Sequence, residues 1–190
     1  MTNFDTPRLL LRPMRMDDLP AKHEIDRQPA VYQFVGFERL PGGEKRGRTL
    51  EETREKLADR IAEFGLQGFG MWAVVLKEEN RLVGYAGLQF YLLEYPSHST
   101  PEIELFYGLS PDYWRRGIIH QACQTLIAYA FETLKLTRIT SVVHRENLRS
   151  LNVAKRNGMH IADHPSEPEN LLGILDNPSL DLEQLRRLER

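Results

Sequence analysis

The spacing of apolar residues changes several times along the chain, and each change predicts a different secondary-structure element. Short apolar or alternating runs, which are typical of β-strands, span residues 8–15, 71–77, 81–90, 103–109 and 138–144. Two weaker strand candidates lie at Ile161 and at residues 171–175. Only three polar residues separate the second run from the third, so we expect these two to form a hairpin.

Apolar spacings of three and four residues predict helices in other segments. These segments are residues 17–27, 50–64, 116–130 and 147–157. The third has the clearest apolar stripe, formed by Ile119, Ala122, Cys123, Leu126 and Ala130. A polar helix is also suggested within residues 176–190. The order of elements predicts an α/β (mixed α+β) fold with a mostly antiparallel central sheet.

Length and composition favour one cytoplasmic domain. The 190 residues, 41% of them hydrophobic, can bury one core, so we expect a single domain over residues 1–190. A formal charge of −2 gives no electrostatic footprint for nucleic acid or an anionic membrane. No apolar run approaches the roughly 18 residues of a membrane-spanning helix. Cys123 is the only cysteine, which excludes an internal disulfide and fits a reducing compartment.

The most informative stretch is residues 104–117, which runs from a predicted strand through a tight turn into a predicted helix. Free backbone N–H groups and the dipole at a helix N-terminus favour an anion such as a pyrophosphate. Gly117 would let phosphate oxygens approach the backbone, and Arg115 and Arg116 would add positive charge. We found no metal-ligand spacing among the histidines and expect no metal.

Several segments in the same order resemble the GNAT superfamily of acetyltransferases, in particular its ribosomal-protein N-terminal (Rim-type) branch. They are residues 6–13, 70–74, 82–88, 104–117 and 147–159. The resemblance implies a sheet of about six to seven strands that splays between the fourth and fifth. These are the predicted strands at residues 103–109 and 138–144. It also implies acetyl-CoA as cosubstrate, lying in that splay.

The resemblance further implies which residues contact the cofactor. The expected set is Tyr107, Leu109, Arg115, Arg116, Gly117, Ile118, Ile119, His120, Asn147 and Ser150. Ile119 stands where the family has glycine or alanine, and its bulk would narrow the phosphate cradle. His120 could donate to a phosphate or be a half-exposed helix residue without a ligand. Asn147 could bind the pantetheine arm or simply cap its helix.

Acetyl transfer to an amine needs a base for the amine and a proton for the departing thiolate. Glu104 matches the acid of many relatives and is our candidate base, with Glu102 chemically equivalent two residues earlier. The family's frequent tyrosine acid is replaced by Ala154, so we propose Ser150 instead. Ser150 could equally be an ordinary first-turn residue. Cys123 is expected to be a buried apolar residue rather than a nucleophile.

Three hypotheses for function remain open at this point. The first is an enzyme acetylating a peptide or protein N-terminal amine, and the second an enzyme for a small amine such as a polyamine, amino sugar or antibiotic. The acidic residues Glu94, Glu102 and Glu104 would suit either acceptor. The third is an acyl-CoA sensor without turnover. We expect a monomer or homodimer whose acceptor is chosen by the loop around Gly42, the loop at residues 91–100 and the last strands.

Overall fold

The computed structural model describes residues 2–34 and 46–179. Within them, eight strands form one sheet with the spatial order β1-β2-β3-β4-β5-β6-β8-β7. The strands are Phe4–Asp5 (β1), Leu9–Pro13 (β2), Met71–Leu76 (β3), Arg81–Glu94 (β4), Ser99–Leu109 (β5), Arg138–His144 (β6), His160–Asp163 (β7) and Asn170–Asp176 (β8). Neighbouring strands are antiparallel except β5 and β6, which are parallel. The mixed α/β class is confirmed, and the two-residue β1 is the strand that sequence reasoning missed.

Helices cover both faces of the sheet. In the described part of the chain they are Leu19–Asp26 (α1), Pro29–Tyr32 (α2), Leu50–Gln67 (α3), Ile118–Ala128 (α4) and Leu148–Arg156 (α5). The long α3 begins at a capping box, in which Thr49 and Glu52 each satisfy a backbone N–H of the other. It ends at Gly68, whose φ of 77° is left-handed. The helix suggested within residues 176–190 lies almost wholly outside the described residues.

The core is split by β3, whose six residues are all buried. Because strand side chains alternate between faces, Trp72 and Val74 join the larger cluster under α4, whereas Ala73 packs with Leu57 of α3. A strand covered by helices on both faces has no solvated side, which explains its continuous apolar run. Helices α1 and α4 also contact β4, whereas several of its last residues, such as Phe90, are exposed.

The hairpin formed by β4 and β5 is longer than predicted. These strands pair continuously from Gly84 with Leu109 to Glu94 with Ser99. The expected acceptor loop at residues 91–100 is therefore wrong, because most of these residues lie within the two strands. The turn itself spans residues 95–98, where the Tyr95 N–H donates to the His98 carbonyl at 2.8 Å. Leu93 is buried at 1% exposure, so side-chain packing holds this extension in the sheet.

The sheet opens between β5 and β6, as predicted. The two parallel strands pair at one position, Glu104 with Thr140. Beyond it, residues 105–109 of β5 pair with β4 alone. On its other edge β6 pairs along its whole length with β8, from Arg138 with Asp176 to His144 with Asn170. The expected last two strands are thus confirmed, and a gap remains between the carboxyl ends of β5 and β6.

Candidate active site

The turn that links β5 to α4 leaves a row of backbone N–H groups without partners. Arg115 and Gly117 both have left-handed backbone conformations, with φ of 63° and 75°. The N–H groups of residues 115–120 meet no acceptor within residues 2–34 and 46–179. Such consecutive free amides at a helix N-terminus form a concave anion site. We call these six residues the cradle.

The side chains of the cradle leave its amides accessible. Ile118 and Ile119 are 1% and 6% exposed and pack in the core under α4. Ile119 therefore does not narrow the cradle, contrary to expectation. Arg115 and Arg116 are exposed. The Arg116 guanidinium lies 4.9 Å from the Tyr113 ring centre, which keeps one positive charge beside the cradle.

His120 has a protein partner. Its Nδ1 lies 2.7 Å from Oδ1 of Asn157, the residue that follows α5, and Gln124 donates to the same oxygen at 3.0 Å. Because an amide oxygen only accepts, His120 is the donor through Nδ1. The ring thus links α4 to the end of α5. A contact with a phosphate, through the other ring nitrogen, stays a prediction.

The gap between β5 and β6 is bordered by contacts that fix its sides. The Tyr107 hydroxyl donates to the Ser150 carbonyl at 3.2 Å and so ties β5 to the first turn of α5. Trp114 donates through Nε1 to the Leu109 carbonyl at 2.9 Å, and the Arg149 guanidinium lies 4.0 Å from the Trp114 ring centre. These contacts hold the cradle turn and the start of α5 close to the gap.

Asn147 caps α5, and part of its side chain stays free. Its Oδ1 accepts the Ser150 N–H at 3.1 Å. Its amide NH₂ has no acceptor among the described residues, so it can still donate to a ligand. The capping and ligand-binding roles that the sequence left open are therefore compatible. The structure brings Asn147, Ser150 and Tyr107 together at one side of the gap.

Glu104 lies at the point where the sheet opens. Its Oε2 accepts from the Gln89 side chain at 2.5 Å, and its Oε1 accepts the Val142 N–H at 3.3 Å, across the gap. Burial raises the pKa of this carboxyl above its ordinary value, and the bonds from Gln89 and Val142 only partly offset the effect. A carboxylate with a raised pKa is a better proton acceptor, as a general base requires.

Glu102 lies on the same sheet face but further from the gap. It pairs with Tyr91 of β4, whereas Glu104 pairs with Gln89. Burial also raises its pKa, and the charge of Arg138 acts against the shift. Only Glu104 bonds to a strand on the far side of the opening, so the geometry favours Glu104 over Glu102 as the base. We call the side of the sheet that carries both carboxylates the Glu104 face.

Comparison with known proteins gives the family. Residues 8–160 match the model of the acetyltransferase (GNAT) domain. The chain belongs to the GNAT acetyltransferase family. The uncharacterized N-acetyltransferase YnaD of Bacillus subtilis (strain 168) is 27% identical over 157 residues, 83% of this chain and 82% of the relative.

Solved structures share the fold of this GNAT acetyltransferase. An acetyltransferase from Agrobacterium tumefaciens str. C58 superposes with a TM-score of 0.75 and 28% identity, over 92% of this chain and 94% of the other. RimL, a ribosomal L7/L12 alpha-N-protein acetyltransferase in complex with coenzyme A, superposes with a TM-score of 0.68 and 19% identity, over 90% and 95%. At 19% identity, the likeness to RimL shows a shared fold and nothing beyond it.

GNAT acetyltransferases use acetyl-CoA, and the described residues fit that cosubstrate. The cradle offers free amides where a diphosphate needs donors, and the gap beside Tyr107 exposes a strand edge to which an amide-containing arm can bind. Asn147 adds a free donor nearby. We found no group of three His, Cys, Asp or Glu side chains that could hold a metal within the described ranges. None of the described helices has the length and apolarity to span a membrane.

Sequence reasoning missed two residues of the site, Gln89 and Val142, which both bond to Glu104. Tyr91 lies on the Glu104 face as well. Their alternation within strands placed each on a face, but only the register between strands brings them to Glu104. His164, dismissed as a metal ligand, contacts Tyr91.

Proposed function

We propose that this acetyltransferase transfers the acetyl group to the α-amine of a peptide or protein, by direct attack within a ternary complex. The observation that carries the proposal is the position of Glu104. Its carboxylate lies at the opening of the sheet, where a cofactor bound by the cradle and the gap would place its thioester. Membership of the GNAT acetyltransferase family, in contrast to the choice of acceptor, follows from the match to the domain model.

In the proposed reaction, Glu104 takes a proton from the acceptor ammonium, directly or through a water. The neutral nitrogen then attacks the thioester carbonyl, so that a C–N bond forms and the C–S bond breaks. The departing thiolate takes a proton from the Ser150 hydroxyl, which we propose as the acid, and Ser150 recovers the second proton that the nitrogen loses as the neutral amide forms. Ser150 follows Asn147 at the start of α5, where the pantetheine arm would lie. Backbone N–H groups of β5 would polarise the carbonyl.

The choice of a peptide acceptor has independent support. The order of motifs resembles the Rim-type branch, and RimL, which shares the fold, acts on a protein α-amine. We also propose that the enzyme acts in the cytoplasm, with which a single, buried cysteine, Cys123, is compatible. A small cationic amine is the second candidate, because Glu102 and Glu104 put two carboxylates on the acceptor side. Membership of an acetyltransferase family favours both over a sensor.

The test measures acetyl transfer from acetyl-CoA to three acceptors, with the release of free CoA as the signal. We would compare a peptide that begins with serine or alanine, the same peptide with a blocked N-terminus, and spermidine. The proposal predicts turnover of the free peptide alone, with the added acetyl group on its α-amine by mass spectrometry. Preferred turnover of spermidine would instead establish the small-amine enzyme.

A further inference from the structure

Tyr91 lies next to the proposed base. In the register of β4 and β5 it is opposite Glu102, while the neighbouring residue on its face, Gln89, is opposite Glu104. Tyr91 and Glu104 are therefore diagonal neighbours on one face, and such neighbours lie about 7–8 Å apart, with their Cβ atoms somewhat closer. No sequence motif relates Tyr91 to Glu104. The tip of each side chain can thus reach the same small ligand.

His164 fixes the direction of the Tyr91 hydroxyl. It follows β7 directly and is 5% exposed. Its Nδ1 accepts backbone N–H groups from Glu167 at 3.1 Å and from Ser166 at 3.4 Å. A nitrogen that accepts carries no proton, so the neutral ring bears its hydrogen on Nε2. That nitrogen lies 2.9 Å from the Tyr91 oxygen and donates to it.

The hydroxyl hydrogen of Tyr91 is therefore uncommitted. Its oxygen accepts from His164, and its own O–H has no acceptor among the described residues. Burial, followed by the charges of Glu167 and Glu104, raises the pKa of Tyr91 to about 12, so the group stays protonated. A fixed phenol whose oxygen is occupied offers one directed donor beside Glu104.

We infer that the Tyr91 hydroxyl donates to the carbonyl oxygen of the acceptor's first residue while its amine lies at Glu104. This rests on the proposed function and narrows it to acceptors with a carbonyl next to the amine carbon. A protonated polyamine offers only donors, which a directed O–H cannot bind. Tyr91 is thus a specificity residue, and His164 is the residue that positions it.

The test combines removal of the hydroxyl with removal of the carbonyl. Tyr91→Phe and wild type are compared on a peptide starting with alanine and on its analogue in which an (E)-alkene replaces the first peptide bond. His164→Ala is a second variant that removes the positioning contact. Tyr95→Phe is the matched control, because Tyr95 stacks on His98 at the hairpin turn, centroids 4.6 Å apart, away from Glu104.

We expect Tyr91→Phe to lower kcat/KM for the peptide about tenfold, as loss of one hydrogen bond predicts. The loss should appear mainly in KM and vanish with the alkene analogue. His164→Ala should show the same dependence on the carbonyl, whereas a purely structural role would affect both acceptors alike. Tyr95→Phe should match wild type.

Two results would overturn the inference. If wild type acetylates the peptide but Tyr91→Phe loses nothing, or loses equally on both acceptors, the hydroxyl does not bind the carbonyl and the proposed function stands. If wild type acetylates neither peptide while acetylating spermidine, the peptide acceptor is wrong and the inference falls with it. The wild-type rates thus test the function, and the variant ratios test Tyr91.

Discussion

The Glu104 carboxylate accepts the backbone N–H of Val142 at 3.3 Å, next to the single point where β5 and β6 pair. A side chain therefore continues the contact between two strands that have begun to separate. This places an ionisable group at the base of the gap rather than on either wall. The pKa of that group is raised by burial, so the fold accepts a buried carboxyl where the reaction needs a base.

Replacing Glu104 by glutamine should lower kcat/KM by about 10²-fold or more, the usual contribution of general base catalysis. The wild-type rate should rise with pH through a midpoint above 4.5, the ordinary carboxyl value, because the base acts when deprotonated. Glu104→Gln should lose this limb of the profile. Steady-state rates across pH check both statements, and an unchanged profile would remove Glu104 from the role of base.

The same substitution should not destabilise the fold at neutral pH. A carboxyl whose folded pKa is raised stabilises the protein at low pH, and this contribution disappears as pH rises through the raised pKa. Glutamine does not titrate, and its amide can still accept from Val142. Thermal unfolding should therefore give Glu104→Gln a Tm at neutral pH equal to or above that of wild type, with the difference reversing toward acid pH.

Two substitutions of Asn147 can distinguish its role as a helix cap from a role in cofactor binding. Aspartate is an equally good N-cap but has no donor, so Asn147→Asp should keep the Tm while weakening CoA binding. Asn147→Ala should lose about 1 kcal/mol of stability as well. Thermal unfolding and CoA titration of the two variants measure the two effects. Unchanged CoA affinity in Asn147→Asp would show that Asn147 is a cap alone.

The sequence predicted the parts of this site that depend on local pattern. The turn before Gly117 was identified from residue type, because a left-handed position next to a helix start favours glycine. Glu104 and Ser150 came from the family resemblance, and their geometry could not be derived from spacing. The bonds of Glu104 to Gln89 and Val142 depend on strand register, which is set by packing across the sheet.

The length of the β4–β5 hairpin was underestimated because it too depends on packing between distant residues. Residues 91–100 contain Pro96 and are followed directly by Pro101, and proline normally interrupts strands. In the structure Pro101 pairs with Leu92, and burial of Leu93 keeps the extension ordered. Tertiary packing outweighed local propensity here. That extension is what carries Tyr91 to the Glu104 face.

A buried ion pair beneath the Glu104 face provides a test of stability. Lys22 of α1 lies 2.5 Å from both carboxylate oxygens of Asp26, and their side chains are 4% and 0% exposed. Burial lowers the pKa of Lys22 to about 8, and the charge and hydrogen bonds of Asp26 act against this shift. Asp26→Asn leaves a buried cation unpaired and should cost about 3 kcal/mol in urea unfolding.

The matched control for this pair is Glu24→Gln on the same helix. Glu24 and Arg27 form an ion pair at 2.9 Å in which both side chains are 59% exposed. Solvent screens such pairs, so the control should change stability by less than about 1 kcal/mol. If the two variants unfold at the same urea concentration, burial does not govern the energetics of this cluster.

The cradle is open to a similar paired test. A Cβ at Gly117 would meet no atom within 4 Å, so any effect of Gly117→Ala comes from its φ of 75°. The strain should be about 1–2 kcal/mol and should distort the row of amides, weakening CoA binding. Gly65→Ala within α3 also meets nothing within 4 Å and should instead stabilise by about 0.5–1 kcal/mol. Equal CoA affinity in both variants would show that the backbone conformation of the cradle does not affect cofactor binding.

The account depends on the free amides of residues 115–120 holding a diphosphate. Calorimetric titration of the wild-type chain with CoA, and in parallel with pantetheine, tests this most directly, because the two differ in the nucleotide and its phosphates. We predict saturable binding of one CoA per chain and binding of pantetheine at least about tenfold weaker, which corresponds to about 1.4 kcal/mol. Absence of heat with CoA, or equal affinity for both compounds, would contradict the account.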